Sequence, residues 1–163
     1  AEGIDYRGIL YPGLMLTEEG PKVLEFNSRF GDPEAQVYLR RLETDLIEVF
    51  EASIDGNLAS MDLEWSDQVS VCVVIASGGY PETYTKGKPI NGIETADQID
   101  DVKVFHAGTK VEGDEIVTSG GRVLGVTATG SDLASSFKKA YKGTKKISFD
   151  GAYYRSDIGA KAI

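Results

Sequence analysis

The sequence predicts an α+β fold for this 163-residue chain, built from antiparallel hairpins with covering helices. Two pairs of extended segments support the hairpins: 4–16 with 22–30, and 103–111 with 115–119. Each pair is joined by residues typical of tight turns, Glu-Glu-Gly-Pro in the first and Glu-Gly-Asp in the second. Apolar residues at helical spacing lie between and after these hairpins, and they predict the helices.

A helical region is predicted directly after the first hairpin. Asp32 suits its N-cap and Pro33 its first helical position, where the missing N–H costs no hydrogen bond. Thr44 and Asp45 offer a second helix start within the same region, and Gly56 offers a stop. The simplest role of such an amphipathic region is packing.

The later part of the chain predicts further strands and one helix. Alternating Val and Ile residues at 69–75 indicate a strand, which follows a connector at 58–68 with Trp65 as its expected anchor. Ser131 suits the N-cap of a helix that runs to Tyr141. The remaining predicted strands are 123–129 and 153–155.

The charge and cysteine content exclude several function classes. With 26 acidic and 17 basic residues, the net charge of −9 disfavours nucleic acid or an anionic membrane as the main partner. No apolar run approaches the length of a membrane span, and no signal-peptide pattern is present. Cys72 is the single cysteine, which excludes an intrachain disulfide and a cysteine zinc cluster. A cytoplasmic location is therefore expected.

The second strand carries the first candidate site. Glu25, Asn27 and Arg29 occupy alternate positions, so an extended chain would point all three to one face. Oxygen ligands beside a fixed cation suit a magnesium-bound polyphosphate. The alternative is an edge strand with a solvated polar face. With either interpretation, the intervening apolar residues Leu24, Phe26 and Phe30 are expected on the opposite face, where they can meet a core.

The second candidate site is the sequence Gly120-Gly121-Arg122, which places flexible backbone N–H groups beside a cation and could cradle an anion. The alternative is a tight turn followed by a surface arginine. His106 is the single histidine, and a hydrogen-bonded structural role is favoured over acid–base catalysis. Cys72 lies in an apolar strand and is expected in the core.

The amino-acid sequence of these segments resembles that of the glycinamide ribonucleotide synthetase (phosphoribosylamine–glycine ligase) family of the ATP-grasp superfamily. The resemblance begins with YPGLML at 11–16 and LEFNSRFGDPE at 24–34, which are similar to the end of that family's ATP-grasp domain. It covers essentially the whole chain in order. The later motifs are GGYP at 78–81, YTKG at 84–87, FHAGT at 105–109, GGRVL at 120–124 and GAYYRSDIG at 151–159.

The resemblance implies a ligase that uses ATP to join glycine to 5-phosphoribosylamine through glycyl phosphate, in de novo purine synthesis. Glu25 and Asn27 would coordinate Mg²⁺ or Mn²⁺ between the nucleotide phosphates, and Arg29 would stabilise the transferring phosphoryl group. Asp32 could receive the ammonium group of glycine, or could simply begin a helix. Unlike many superfamily members, the chain offers no acid at 11–14, which leaves the number of metal ions open.

Analogy with related purine-pathway enzymes assigns the ribose 5-phosphate to Arg122 with Gly120 and Gly121, and makes Lys86 a weaker candidate. The resemblance also assigns residues 1–57 to the C-terminal part of an ATP-grasp domain, and 58–163 to the family's C-terminal domain.

The chain is thus expected to be a C-terminal fragment, inactive alone, that needs the N-terminal part of the enzyme and could be fused to downstream purine-biosynthesis domains. Two alternatives stay open. One is a noncatalytic interaction module derived from the enzyme, and the other is a different ATP-grasp carboxylate–amine ligase.

Overall fold

The structure is a computed structural model that describes residues 3–160. The chain divides into two compact units. Within the described residues, the first unit comprises 3–35 and 42–66, and the second comprises 36–41 and 67–160. The segment 36–41 therefore belongs with the later residues, although in sequence it lies between two parts of the first unit. The domain assignment made from the resemblance remains a prediction.

The first unit contains an antiparallel two-stranded ribbon of β1 (Tyr11–Thr17) and β2 (Gly20–Asn27). Glu18 and Glu19 form the turn, and Gly20 adopts a positive φ of 101° at its end. The first hairpin is therefore confirmed, but both strands are shorter than predicted. Pairing ends where Tyr11 meets Asn27, so the chain on either side has no ladder partner in the ribbon.

The expectation that Leu24 and Phe26 face a core is wrong for the described structure, since each is 66% exposed. Phe30 is half-buried, and its ring centroid lies 6.2 Å from that of Phe50. Strand alternation sorts side chains onto two faces, but a face becomes buried only when another layer packs on it. The ribbon exposes its apolar side chains because its unit supplies too little covering structure.

The predicted helical region forms two helices, α1 (Glu34–Tyr38) and α2 (Leu46–Asp55). The first of these, α1, begins one residue later than predicted, because Asp32 and Pro33 form a turn before it. The second start is confirmed, since the Asp45 carboxylate accepts a hydrogen bond from the Ile47 N–H at 2.8 Å. Gly56 ends α2 with a φ of 77°.

A 3₁₀ helix (Leu58–Ser60) begins the connector that follows α2. Trp65 forms an isolated antiparallel bridge with Leu42, so its backbone joins the connector to the segment between α1 and α2. Its side chain is nevertheless partly exposed.

The second unit is built on a four-stranded antiparallel sheet. The elements of this unit are β3 (Val69–Ser77), α3 (Ile93–Asp97), β4 (Val102–His106), β5 (Thr109–Glu112), β6 (Glu115–Thr118), β7 (Arg122–Gly130), α4 (Leu133–Thr144) and β8 (Ala152–Tyr153). The strand order of the sheet is β4-β7-β3-β8, and β5 pairs with β6 in a separate hairpin.

The core of the second unit lies on the sheet face that α4 covers. Val73 and Val126 are opposite each other on β3 and β7 and are fully buried. Phe137 and Ala140 of α4 belong to the same apolar cluster. The predicted mixture of antiparallel strands and a covering helix is confirmed, and the fold class is α+β.

Two local predictions in this unit are corrected. The predicted strand 103–111 is two strands, because the backbone turns away at Gly108, whose carbonyl accepts hydrogen bonds from the N–H groups of Ser119 and Gly120. The N-cap of α4 is Asp132, one residue after Ser131, because its carboxylate accepts from the Ser135 N–H at 2.7 Å in a capping box.

Candidate functional site

The β1–β2 ribbon positions the first candidate site. Glu25 and Asn27 are two residues apart on β2 and therefore share a face. The Glu25 side chain lies across Gly13, where a Cβ would be 3.1 Å from Glu25 Cγ. Asn27 Nδ2 donates to the Tyr11 carbonyl at 3.4 Å. This hydrogen bond uses the amide nitrogen and leaves the amide oxygen turned away from that carbonyl. This arrangement leaves two hard oxygen groups on one face.

Arg29 lies beyond the end of β2, so the strand does not present it as the alternation predicted. Its Nη1 donates to the Phe30 carbonyl at 3.0 Å. Arg29 still contributes to the local field, since its positive charge acts to lower the pKa of Tyr11. The guanidinium therefore remains near the ribbon through a turn rather than through the strand.

Tyr11 joins this group, which sequence reasoning missed. Burial and a hydrogen bond to the Glu34 carboxylate raise the pKa of Tyr11, and the charges of Glu34 and Glu25 act in the same direction. The hairpin register could have revealed this residue, because Tyr11 lies directly opposite Asn27. The first unit thus gathers one tyrosine, two carboxylates, a carboxamide and a guanidinium.

Gly31 lies next to the contact between Tyr11 and Glu34. A Cβ there would lie 2.4 Å from Glu34 Oε2 and 2.7 Å from Tyr11 Cε1, so a larger residue would have to displace the ends of these two side chains. Asp32 follows in the exposed turn before α1. A carboxylate at that place is accessible to a small cation.

The donor set of the ribbon suits a hard divalent cation. Carboxylate and carboxamide oxygens are ligands that Mg²⁺ accepts, and Mg²⁺ commonly completes its shell with substrate phosphates and water. Among residues 3–160 no group of three or more His, Cys, Asp and Glu side chains is arranged to hold a metal ion. Glu25 and Asn27 would therefore supply only part of a coordination shell.

The second candidate site lies in the second unit and is more tightly built than predicted. Ser77 donates from its backbone N–H to the Gly121 carbonyl at 2.8 Å, and from its hydroxyl to the Gly120 carbonyl at 2.9 Å. The Gly120 N–H donates to the Gly108 carbonyl at 3.1 Å. The Gly120 N–H is therefore already bonded within the turn, and the assignment of Gly120 to an anion site stays a prediction.

Arg122 begins β7 beside Tyr80, whose ring in turn lies near that of Tyr84. Its Cζ is 6.0 Å from the centroid of the Tyr80 ring, and the Tyr80 and Tyr84 ring centroids are 6.3 Å apart. Lys86 Nζ is 6.0 Å from the centroid of the Tyr84 ring. The sequence singled out both cations, but only the folded loop associates them through these tyrosines.

Cys72 and His106 are the remaining sequence candidates, and the structural role expected of His106 stays a prediction. Cys72 is buried in β3, as predicted. His106 is exposed at the end of β4, and its Nδ1 lies 3.0 Å from the Thr109 hydroxyl. Within residues 3–160, the helices all lack the length and apolar composition needed to cross a membrane.

Two family models match the chain. The model described as "Phosphoribosylglycinamide synthetase, C domain" matches residues 70–161. The model described as "Phosphoribosylglycinamide synthetase, ATP-grasp (A) domain" matches residues 1–35, the segment that contains the ribbon.

Curated relatives agree with both models. A phosphoribosylamine–glycine ligase from Caldanaerobacter subterraneus is 53% identical over 159 residues, which is 98% of this chain and 37% of the relative. One from Synechocystis is 53% identical over 99% of this chain and 39% of the relative. The trifunctional purine biosynthetic protein adenosine-3 of Gallus gallus is also 53% identical, over 99% of this chain and 16% of its own length. The chain thus spans little more than a third of the single-activity relatives.

A solved structure has the same fold. The crystal structure of phosphoribosylamine–glycine ligase from Thermotoga maritima matches with a TM-score of 0.82 and 35% identity, covering 96% of this chain and 38% of that one. The N5-carboxyaminoimidazole ribonucleotide synthetase of the same organism matches with a TM-score of 0.55 and 19% identity, which is a likeness of fold alone. The motifs, the family models and these relatives agree, and the chain belongs to the phosphoribosylglycinamide synthetase family.

Proposed function

We propose that the chain is part of an ATP-dependent ligase that joins glycine to 5-phosphoribosylamine. The products would be glycinamide ribonucleotide, ADP and phosphate, formed through a glycyl phosphate. The observation that carries the proposal is the ribbon site: Glu25 and Asn27 share one face within the segment matched by the ATP-grasp model. A ligase of this kind needs positioning and charge stabilisation more than a protein nucleophile.

Glu25 and Asn27 would hold Mg²⁺ or Mn²⁺ together with nucleotide phosphates. When bound, such an ion neutralises phosphate charge and orients the reacting groups. The hydrogen bond from Asn27 to the Tyr11 carbonyl would keep the amide oxygen directed to the metal side. Arg29 would stabilise negative charge on the transferring phosphoryl group, and the exposed Asp32 would receive the ammonium group of glycine.

Arg122 would bind the 5-phosphate of phosphoribosylamine, with the Gly120-Gly121 turn holding the start of β7 in place. Its exposed position at the start of β7 supports this assignment, because a guanidinium can bind a phosphate through two parallel hydrogen bonds. Gly120 would contribute through the shape of the turn, since its N–H is already bonded to the Gly108 carbonyl.

The chain covers less than two fifths of these relatives, so the proposed activity belongs to a longer protein of which the chain is a part. We expect residues 1–163 alone not to synthesise glycinamide ribonucleotide, because the relatives devote most of their length to other parts. We expect a cytoplasmic enzyme. The trifunctional relative supports the expectation that further purine-biosynthesis domains accompany this chain in some proteins. The relatives' names and the match over nearly the whole chain favour this ligase over another ATP-grasp enzyme.

The proposal is tested by metal binding in the complete ligase that contains this chain. Mn²⁺ binding measured by electron paramagnetic resonance should be weak alone and should tighten when ADP is added, because phosphates complete the shell. Asn27→Ala should lower the ADP-dependent affinity about ten- to a hundredfold, the effect of losing one oriented group at a metal site.

Asn57→Ala is the matched control, since Asn57 is an exposed asparagine of the same unit outside the ribbon. ADP-dependent Mn²⁺ binding that is identical in the wild type and Asn27→Ala would contradict the metal assignment.

A further inference from the structure

We propose that Tyr80 is a positioning residue that holds Arg122 for binding an anionic group of the substrate. The inference rests on the proposed role of Arg122 in phosphate binding, and it adds a residue to which neither the sequence nor the family comparison assigns a role. It depends on three features of the second unit: an anchored loop, a ring packed on a glycine and a cation beside that ring.

The loop that carries Tyr80 is anchored on the turn that precedes Arg122. Ser77, which is buried at the end of β3, donates to the carbonyls of both Gly120 and Gly121. The Tyr80 N–H then donates to the Ser77 carbonyl at 3.1 Å. The backbones of the two segments are therefore joined through one residue, which limits how far Tyr80 can move relative to Arg122.

The Tyr80 ring packs directly on Gly121. A Cβ at position 121 would lie 2.1 Å from Tyr80 Cδ2 and 2.7 Å from Cε2, so the ring occupies the space that any other residue would need. Gly121 is buried, whereas 39% of the Tyr80 surface stays exposed. Glycine at position 121 thus allows an aromatic ring to lie against the backbone immediately before Arg122.

Arg122 sits beside that ring, 6.0 Å from Cζ to the ring centroid, which is the outer limit for a cation–aromatic pair. Ordering an arginine side chain when it binds an anion costs free energy. The ring is one of the contacts that restrict the guanidinium of Arg122 before binding, and it lowers that cost. Tyr84 and Lys86 continue the same arrangement, which places a second cation along the loop.

The test compares Tyr80→Leu, Tyr80→Phe and Arg122→Ala in the complete ligase. Arg122→Ala should raise KM for phosphoribosylamine about ten- to a hundredfold, with KM for ATP and glycine unchanged. Tyr80→Leu should raise the same KM about two- to fivefold at unchanged kcat, the effect of losing one exposed cation–aromatic contact. Tyr80→Phe keeps the ring and should restore the wild-type value.

A double mutant separates positioning from a direct contact. If Tyr80 acts through Arg122, Tyr80→Leu should have no further effect on KM in the Arg122→Ala background. An equal effect of Tyr80→Leu in both backgrounds, or a loss of function in Tyr80→Phe as large as in Tyr80→Leu, would overturn the inference.

A second readout on the 163-residue chain tests the positioning directly. The ¹⁵Nε–H order parameter of Arg122 should fall in Tyr80→Leu and stay high in Tyr80→Phe, whereas Arg155, an exposed arginine of the same unit, serves as the unaffected control.

An unchanged order parameter in Tyr80→Leu would overturn the inference and leave the proposed ligase function intact. A normal KM in Arg122→Ala would instead refute the phosphate assignment on which the inference rests.

Discussion

The β1–β2 ribbon and the four-stranded sheet of the second unit share a sequence pattern but differ in how far their apolar side chains are buried. Both contain alternating apolar residues in antiparallel strands. In the sheet, Leu124 of β7 is 1% exposed, whereas Leu24 of β2 is 66% exposed. The sheet carries α4 across its apolar face, whereas the described residues of the first unit, 3–35 and 42–66, do not bury the apolar side chains of the ribbon in this way.

This difference shows that the alternation of side chains along a strand does not by itself form a core. Alternation follows from covalent geometry and places side chains on two faces. Burial requires a second layer, and it contributes free energy in proportion to the apolar area removed from water. The sheet should therefore contribute most of the stability of the chain, and the ribbon should contribute the polar groups of the proposed metal site.

The largest expected effect comes from matched leucine substitutions in the two regions. Leu124→Ala should lower the free energy of unfolding by about 2–5 kcal/mol, because it leaves a cavity in the core. Leu24→Ala should change it by no more than about 0.5 kcal/mol, because the side chain is already in water. Urea unfolding of the 163-residue chain, followed by circular dichroism, measures both values. Similar losses for the two variants would break the comparison.

Glu25→Gln should have the opposite profile. It keeps the shape of the side chain but removes the negative charge proposed to bind the metal, so kcat of the complete ligase should fall about a hundredfold and the Mg²⁺ requirement should rise. The unfolding free energy should barely change, since Glu25 is exposed. Glu18→Gln, in the turn of the same ribbon, is the control. Kinetics that do not change across a Mg²⁺ titration would remove Glu25 from the site.

The smallest effect concerns Asp97, at the end of α3. Burial alone would raise its pKa, but hydrogen bonds from the Lys103 ammonium and the Val104 N–H outweigh burial and lower the pKa below its usual value. The ionised group therefore stabilises the fold above about pH 4, and this contribution is lost as the pH falls through the folded-state pKa.

Asp97→Asn should therefore lower the unfolding free energy by about 1 kcal/mol at pH 7. The difference from the wild type should shrink below about pH 4, where the wild-type carboxyl also loses its charge. Urea titrations at several pH values measure this trend. A difference that stays constant from pH 7 to pH 3 would show that the charge of Asp97 has no part in stabilising the second unit.

Much of the local structure follows from sequence, because its causes are local. Three correctly predicted features depend only on residues close in sequence: the turn after β1, the start of α2 at Asp45 and the end of α2 at Gly56. The largest correction, in contrast, depends on a contact between distant residues. The predicted strand 103–111 divides because Gly108 meets Gly120, and no pattern within that strand indicates the encounter.

The candidate sites divide in the same way. The sequence alone was enough to propose Glu25, Asn27 and Arg122 as site residues, since their motifs are recognisable. Only the tertiary structure brought Tyr11 beside Glu34 and packed Tyr80 on Gly121, because these contacts join segments that the sequence keeps apart. It also decided that Leu24 remains in water while Leu124 is buried, since only the second has a layer packed over it.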